Sequence, residues 1–170
     1  MRNYYLNTDS QFRTLSFTIY SLILCVLLVI YEVTKGDDFI FENKPIVIVF
    51  AIVYFYVLLM YVQYLSYSLK RKISMDIYHR REITFSHKKT TKTYSFDDIE
   101  SITKVCSIRN AENRTPWIPS DSFFFILIQT KSGDTIILTS LMIDNTFHLP
   151  NFKIKIKKRV LPFILNKDLE

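Results

Sequence analysis

Hydrophobic positions divide the chain into two unlike parts: long unbroken runs before residue 70, short alternating ones after it. Residues 14–31, eighteen in a row, carry no acidic or basic side chain, and neither do the twenty-five residues 45–69. At a helical rise of about 1.5 Å per residue they reach about 27 and 37 Å, against a hydrocarbon core of about 30 Å. Both are apolar all round, and a globular domain this small has too little protein to cover two such helices. The pattern predicts a transmembrane hairpin, helix 14–33 and helix 45–69 joined by loop 34–44, after a tail at 1–13. The second run is long enough to span with tilt or to project a turn into water. The first is followed by Tyr31-Glu32-Val33-Thr34-Lys35 rather than by a small-residue cleavage site, so it is expected to stay in the chain.

Flanking charge orients the hairpin. Arg2 and Arg13 precede the first run, four acids against two lysines lie between Glu32 and Lys44, and Lys70-Arg71-Lys72 and Arg80-Arg81 follow the second. The positive-inside rule then puts both termini in the cytoplasm and the acidic connection outside, as a two-pass membrane protein. Tyr61, Tyr64 and Tyr67 recur near the inner end, a spacing that suits rings at headgroup level and ordinary helix packing equally. Neither run contains Asp, Glu, Lys, Arg or His, which proton relays and ion pathways need, so the hairpin reads as an anchor.

Residues 70–170 read as a separate β-rich cytoplasmic domain. Ile73, Met75 and Ile77 alternate with polar neighbours, Ile83 and Phe85 follow, and residues 90–95 are rich in Thr. Phe123-Phe124-Phe125-Ile126-Leu127-Ile128 and Thr135-Ile136-Ile137-Leu138-Thr139 flank Lys131-Ser132-Gly133-Asp134, which predicts a β-hairpin with the glycine at a positive φ. Phe96-Asp97-Asp98 predicts a helical turn before a strand. The whole reads as a strongly bent antiparallel sheet of six or seven strands. Residues 145–161 leave two outcomes open. Pro150 and Pro162 suit the ends of an amphipathic helix, whereas Lys153-Ile154-Lys155-Ile156-Lys157 alternates as a strand does.

Composition narrows the chemistry. Two glycines, Gly36 and Gly133, cannot build a phosphate-cradling loop, which excludes the common nucleotide-binding motifs. His79, His87 and His148 lack the spacing of a helical metal pair, so no metal and no cofactor is expected. Asp97, Asp98 and Glu100 suit a turn cap, and Ser86-His87 has no orienting acid beside it. Cys25 falls in a span and Cys106 in a strand, so they are expected to stay unpaired. No enzyme is implied.

The order of parts resembles the bacterial membrane-anchored PH-like (pleckstrin-homology-like) domain proteins. The resemblance is carried by Tyr94-Ser95-Phe96-Asp97-Asp98-Ile99-Glu100-Ser101-Ile102 and by the hairpin from Phe125 to Leu138. It implies a curved seven-stranded sheet or barrel closed by one carboxy-terminal helix, with no shared catalytic residues.

Charge and one loop supply the candidate contacts. Residues 70–170 hold eighteen Lys plus Arg and eleven Asp plus Glu, a net of +7 against +6 for the chain. The clusters Lys70, Arg71, Lys72, Arg80 and Arg81, and Lys153, Lys155, Lys157, Lys158 and Arg159, are the candidates for contact with anionic headgroups. Each is worth about 1 kcal/mol at such a surface, decaying over about 8 Å. Positive charge is accounted for by topology, so nucleic acid is not the expected partner. Thr115-Pro116-Trp117-Ile118-Pro119 lies in a polar stretch, and Trp117 with Ile118 forms either a rigid apolar tip for a protein partner or headgroups, or part of the core. The function read from this is a non-enzymatic, membrane-anchored binding module, an adaptor or regulatory subunit with a protein partner. The alternatives are an immunity or defence accessory protein that neutralises a membrane-acting toxin, and an anionic-lipid sensor.

Overall fold

A computed structural model describes residues 2–6, 8–35, 44–69, 71–77, 79–87, 90–145, 147, 149, 152–165 and 168. Among these, eight strands form two four-stranded sheets, and neither closes into a barrel. The first sheet is antiparallel in the order β1 (Arg2–Tyr5), β2 (Arg71–Asp76), β3 (Glu82–His87), β4 (Thr90–Ser95). The second runs β7 (Thr135–Thr139), β6 (Phe124–Thr130), β5 (Ile99–Cys106), β8 (Lys155–Lys158). Strand β8 lies parallel to β5, the others antiparallel.

The tail expected at 1–13 is structured. Residues 2–5 pair with β2 in the register Arg2↔Met75 to Tyr5↔Lys72, and helix α1 begins already at Thr8. Helix α1 (Thr8–Lys35) and helix α2 (Lys44–Ser68) therefore interrupt one pair of neighbouring strands. Most of the predicted connection, 34–44, lies outside the described residues. By length and composition α2 can cross a membrane; α1 qualifies only if Thr8–Ser16 and Thr18–Leu27, inclined at 51°, are taken as one span.

Two apolar cores explain why β6 reads as a continuous hydrophobic run: both its faces are covered. Phe124, Ile126 and Ile128 point toward the first sheet and meet Ile73, Met75, Ile83, Phe96 and Ile102. Phe125 and Leu127 point the other way, into a core shared with Val57, Met60 and Tyr64 of α2. The layers are thus sheet, sheet, helix. Tyr64 is fully buried, edge-on to Phe123 and Phe125 with centroids at 5.3 and 6.1 Å. Its hydroxyl donates to the Pro162 carbonyl at 2.7 Å. The headgroup reading of this tyrosine gives way to packing, because the second sheet lies against the last three turns of α2. Further links fix both helices to the second sheet and its surroundings. Thr14 donates to the Ser140 carbonyl at 3.0 Å, the Ser68 and Thr139 hydroxyls lie 2.6 Å apart, and the Gln63 side chain bonds both the N–H and the C=O of Ile164.

Local signals were realised where they were short-range. Gly133 takes φ 85° in the β6–β7 turn. Ser95 and Asp98 cap the turn Phe96–Asp98 reciprocally, at 3.3 and 3.1 Å. The closing helix expected from the resemblance is corrected: residues 152–165 form no helix, and Lys155–Lys158 adds instead as a strand to the free edge of β5. The extended alternative prevailed: Ile154 packs on the core, while Ile156 and the lysines of the strand stay exposed on the edge, where charge discourages further pairing.

Candidate functional site

Between β5 and β6 the chain makes a seventeen-residue excursion, 107–123. Ser107 caps a single helical turn, Ile108–Ala111, its hydroxyl accepting from the Asn110 N–H at 3.1 Å. Asn113, at φ 53°, turns the chain back. Pro116 and Pro119 then restrict the backbone on either side of Trp117-Ile118. The carboxylate of buried Asp121 accepts from both the Trp117 and Ile118 N–H groups, at 3.0 and 3.3 Å. On the other side the Arg109 guanidinium lies 4.2 Å from the Trp117 ring centroid, and its Nε donates to the Thr115 carbonyl at 2.8 Å. Acid holds the backbone and arginine holds the ring, so the tip is preorganised.

The tip is apolar and outward. Trp117 is 75 % exposed and Ile118 41 %, so Trp117 does not join the core. Ile108 and Val160, the latter 75 % exposed, stand beside it along a shallow groove. A second groove separates the tip from the helices: Trp117, Ile118 and Pro119 form one wall, and Val49, Phe50, Val53, Tyr54 and Ser21 the other. The Tyr54 hydroxyl donates to Ser21 Oγ at 2.7 Å and ties α2 to α1 at this level. The loop therefore stands beside a part of α2 that lies one turn above the core. Val53 precedes Val57, the first core residue of α2, by four residues, about 6 Å along the axis. Sequence reasoning found Trp117 and Ile118 but not Ile108, Arg109 or Val160, which reach the patch from a neighbouring turn and from the end of β8.

The basic candidates do not converge on one pocket. Lys70 lies outside the described residues. Arg71 is half-buried with its guanidinium 4.9 Å from the Tyr67 ring, and burial lowers its pKa from the ordinary value, partly offset by Tyr67. Lys72 is exposed on β2. Arg80 shares a groove on the first sheet with Ser74, Asp76, Glu82 and Thr84, where two acids face one base. Exposed Arg81, at φ 54°, lies 3.9 Å from Asp97. Lys153 and Lys155 are exposed, and Lys158 pairs with Glu112 at 3.3 Å.

Lys157 and Arg159 belong to a clasp. Both pair with Asp168, which is 4 % exposed and also accepts the Leu165 N–H at 2.9 Å. Arg159 reaches Asp168 Oδ2 at 2.7 Å and the Phe163 carbonyl at 2.8 Å. Burial pushes the Asp168 carboxyl up. The Arg159 and Leu165 hydrogen bonds and the charges of Arg159 and Lys157 outweigh that, leaving it below the ordinary carboxylate value. This clasp fastens the chain's last described residues, including Ile164 in the core against α2.

Reactive chemistry finds little support in the arrangement. Cys106 is buried, and burial raises its thiol pKa despite Lys104 and Lys158 nearby. A thiol so held is a poor nucleophile at neutral pH. Among the described residues no three His, Cys, Asp or Glu side chains come together as a metal site.

A family model described as "PH domain" matches residues 3–148. The matched region opens in β1, includes both helices and ends before β8, so the helices lie within the matched unit rather than in front of it. No curated protein and no solved structure matches the chain.

Proposed function

The chain belongs to the PH domain family, and from that premise we propose that it is a non-enzymatic binding module carried at a membrane by its own helical hairpin. The observation that carries this reading is the two-sidedness of α2. Val57, Met60 and Tyr64 are built into the domain core, while Ile48, Val49, Phe50, Ile52, Phe55, Leu58, Leu59 and Val62 are exposed. On α1, Leu22, Ile23, Leu24, Val26, Leu27 and Ile30 are exposed as well. Fourteen large apolar side chains left half in solvent represent on the order of 10 kcal/mol of unrealised burial. Patches of that extent mark interaction surfaces, and two adjoining helices without a charge along their middles suit lipid better than a polar-rimmed protein interface. Arg71, Lys72, Arg80 and Arg81 follow the domain end of α2, which favours the cytoplasmic leaflet as the side on which the sheets lie.

Because α2 enters the core without a linker, the domain is held at one height and one tilt relative to the bilayer. A binding surface so confined gains affinity through effective concentration rather than through new contacts. Alkaline carbonate extraction and a carboxy-terminal reporter fusion test the proposal. Retention in the membrane pellet with a reporter active in the cytoplasm supports it; release without detergent, or a reporter active outside, overturns it. The scatter of the basic residues, with Arg81, Lys157, Lys158 and Arg159 already in ion pairs, speaks for a general electrostatic contact rather than for a headgroup pocket.

A further inference from the structure

Resting on the membrane reading above, we propose that the Trp117–Ile118 tip is an intramembrane wedge, seated among the acyl chains of the same leaflet that surrounds α2. The argument begins with a length deficit. Only residues 44–56 of α2 precede the first turn packed on the domain, and thirteen residues supply about 20 Å. The hydrocarbon core needs about 30 Å. The outer face of the helix makes up the difference, with Leu58, Leu59 and Val62 exposed. On the inner face Val57, Met60 and Tyr64 meet protein instead. A bilayer that covers the outer face to its full depth therefore meets the domain itself on the inner face, over about 10 Å.

Just above that stretch, beside Val49 to Val53, the domain presents the loop. Trp117, Ile118 and Pro119 face Val49, Phe50 and Val53 across one groove, so the medium around those helix residues reaches the loop as well. The tip presents no charged side chain outward: Trp117 and Ile118 have their backbone N–H groups satisfied by Asp121, which removes the main penalty for leaving water. Arg109 closes the base of the tip with its guanidinium on the indole, and Val160 and Ile108 widen the apolar shoulder. An apolar point with a cation at its root matches the depth profile of a leaflet, acyl chains above and phosphates below.

Trp117 is the one tryptophan in the chain, so its emission reads the loop directly in the native sequence. Cys25 supplies an independent reading of the hairpin, since the other cysteine, Cys106, is buried. The full chain, purified in detergent and labelled at Cys25 with a fluorophore, is reconstituted into vesicles of zwitterionic and anionic phospholipid with or without brominated acyl chains. Brominated lipid is expected to quench both the Cys25 label and Trp117, with Trp117 emission blue-shifted and at least several-fold less accessible to acrylamide than free tryptophan. Quenching of the label with Trp117 left water-accessible overturns the wedge and leaves the membrane reading standing; the tip is then free for a protein partner. A label that brominated lipid does not quench overturns both.

Discussion

The two halves of α2 are both uncharged and rich in apolar residues, and their fates are opposite. From Ile48 to Tyr56 the helix is exposed or half-exposed on every side; from Val57 to Ser68 one face, Val57, Met60, Tyr64 and Ser68, is sealed against the second sheet. The first half is apolar throughout, and the second adds Gln63, Ser66 and Ser68, of which Gln63 and Ser68 bond the domain. What separates them further is the neighbour: the second half lies against Phe123, Phe125 and Leu141, the first against α1 and a single loop. A stretch of twenty-five uncharged residues thus divides into a part with free apolar faces and a part that is domain core along one stripe. Hydropathy measures what a segment tolerates, and only packing decides what it meets.

The contrast is broken most severely at Tyr64. Replacing it with alanine removes a fully buried ring and leaves a cavity between α2 and the second sheet. Tyr64→Ala is expected to cost about 3–5 kcal/mol, seen as a large fall in the thermal midpoint of the detergent-solubilised protein. The clasp comes next. Asp168→Ala leaves the nearly buried Arg159 without its acid, and a loss of about 2 kcal/mol is expected, read as faster proteolysis after residue 160. Acid should do the same reversibly. Since the folded carboxyl titrates below its ordinary value, its contribution is complete above about pH 4 and disappears as pH falls through the lowered folded value. Amide exchange at Leu165 follows that loss, and exchange unchanged down to the acid limit would argue against the clasp. Gln63→Ala breaks two hydrogen bonds to the Ile164 backbone and should cost about 1 kcal/mol. At the far end of the scale, Phe50→Ala is expected to cost less than about 0.5 kcal/mol in detergent, a small change in the thermal midpoint. A cost at Phe50 equal to that at Tyr64 would mean the two halves do not differ as described.

How much of this was readable in the chain depends on the distance over which each signal acts. The β6–β7 hairpin was plain, because Gly133 and the runs beside it act within fifteen residues, and the cap of Ser95 and Asp98 is more local still. Strand β1 was not. Its four residues carry weak strand character, and their partner lies about seventy positions away, so only the finished sheet identifies them. The closing helix was expected from the resemblance and from prolines placed at the ends of 145–161, and the vacant edge of β5 that decided for a strand is a tertiary fact. At the candidate site, the prolines around Trp117 marked a rigid tip, whereas Arg109 beneath the ring and Val160 at its side are brought there by folding. Asp168 gave no warning at all: an acid near the end of the sequence is ordinary until Arg159 is placed against it.

The pairing of β1 with β2 has a mechanical consequence. The chain leaves the first sheet after Tyr5 and returns at Arg71, one residue from the Tyr5↔Lys72 rung of the same ladder. A pull on the helices is therefore delivered to two neighbouring strands at once. A pull shared by both passes to the β2–β3 ladder, and one that separates them opens their shared rungs from Tyr5↔Lys72 onward. The same wiring orders synthesis, since the first strand made must wait for the whole hairpin to emerge before its partner exists.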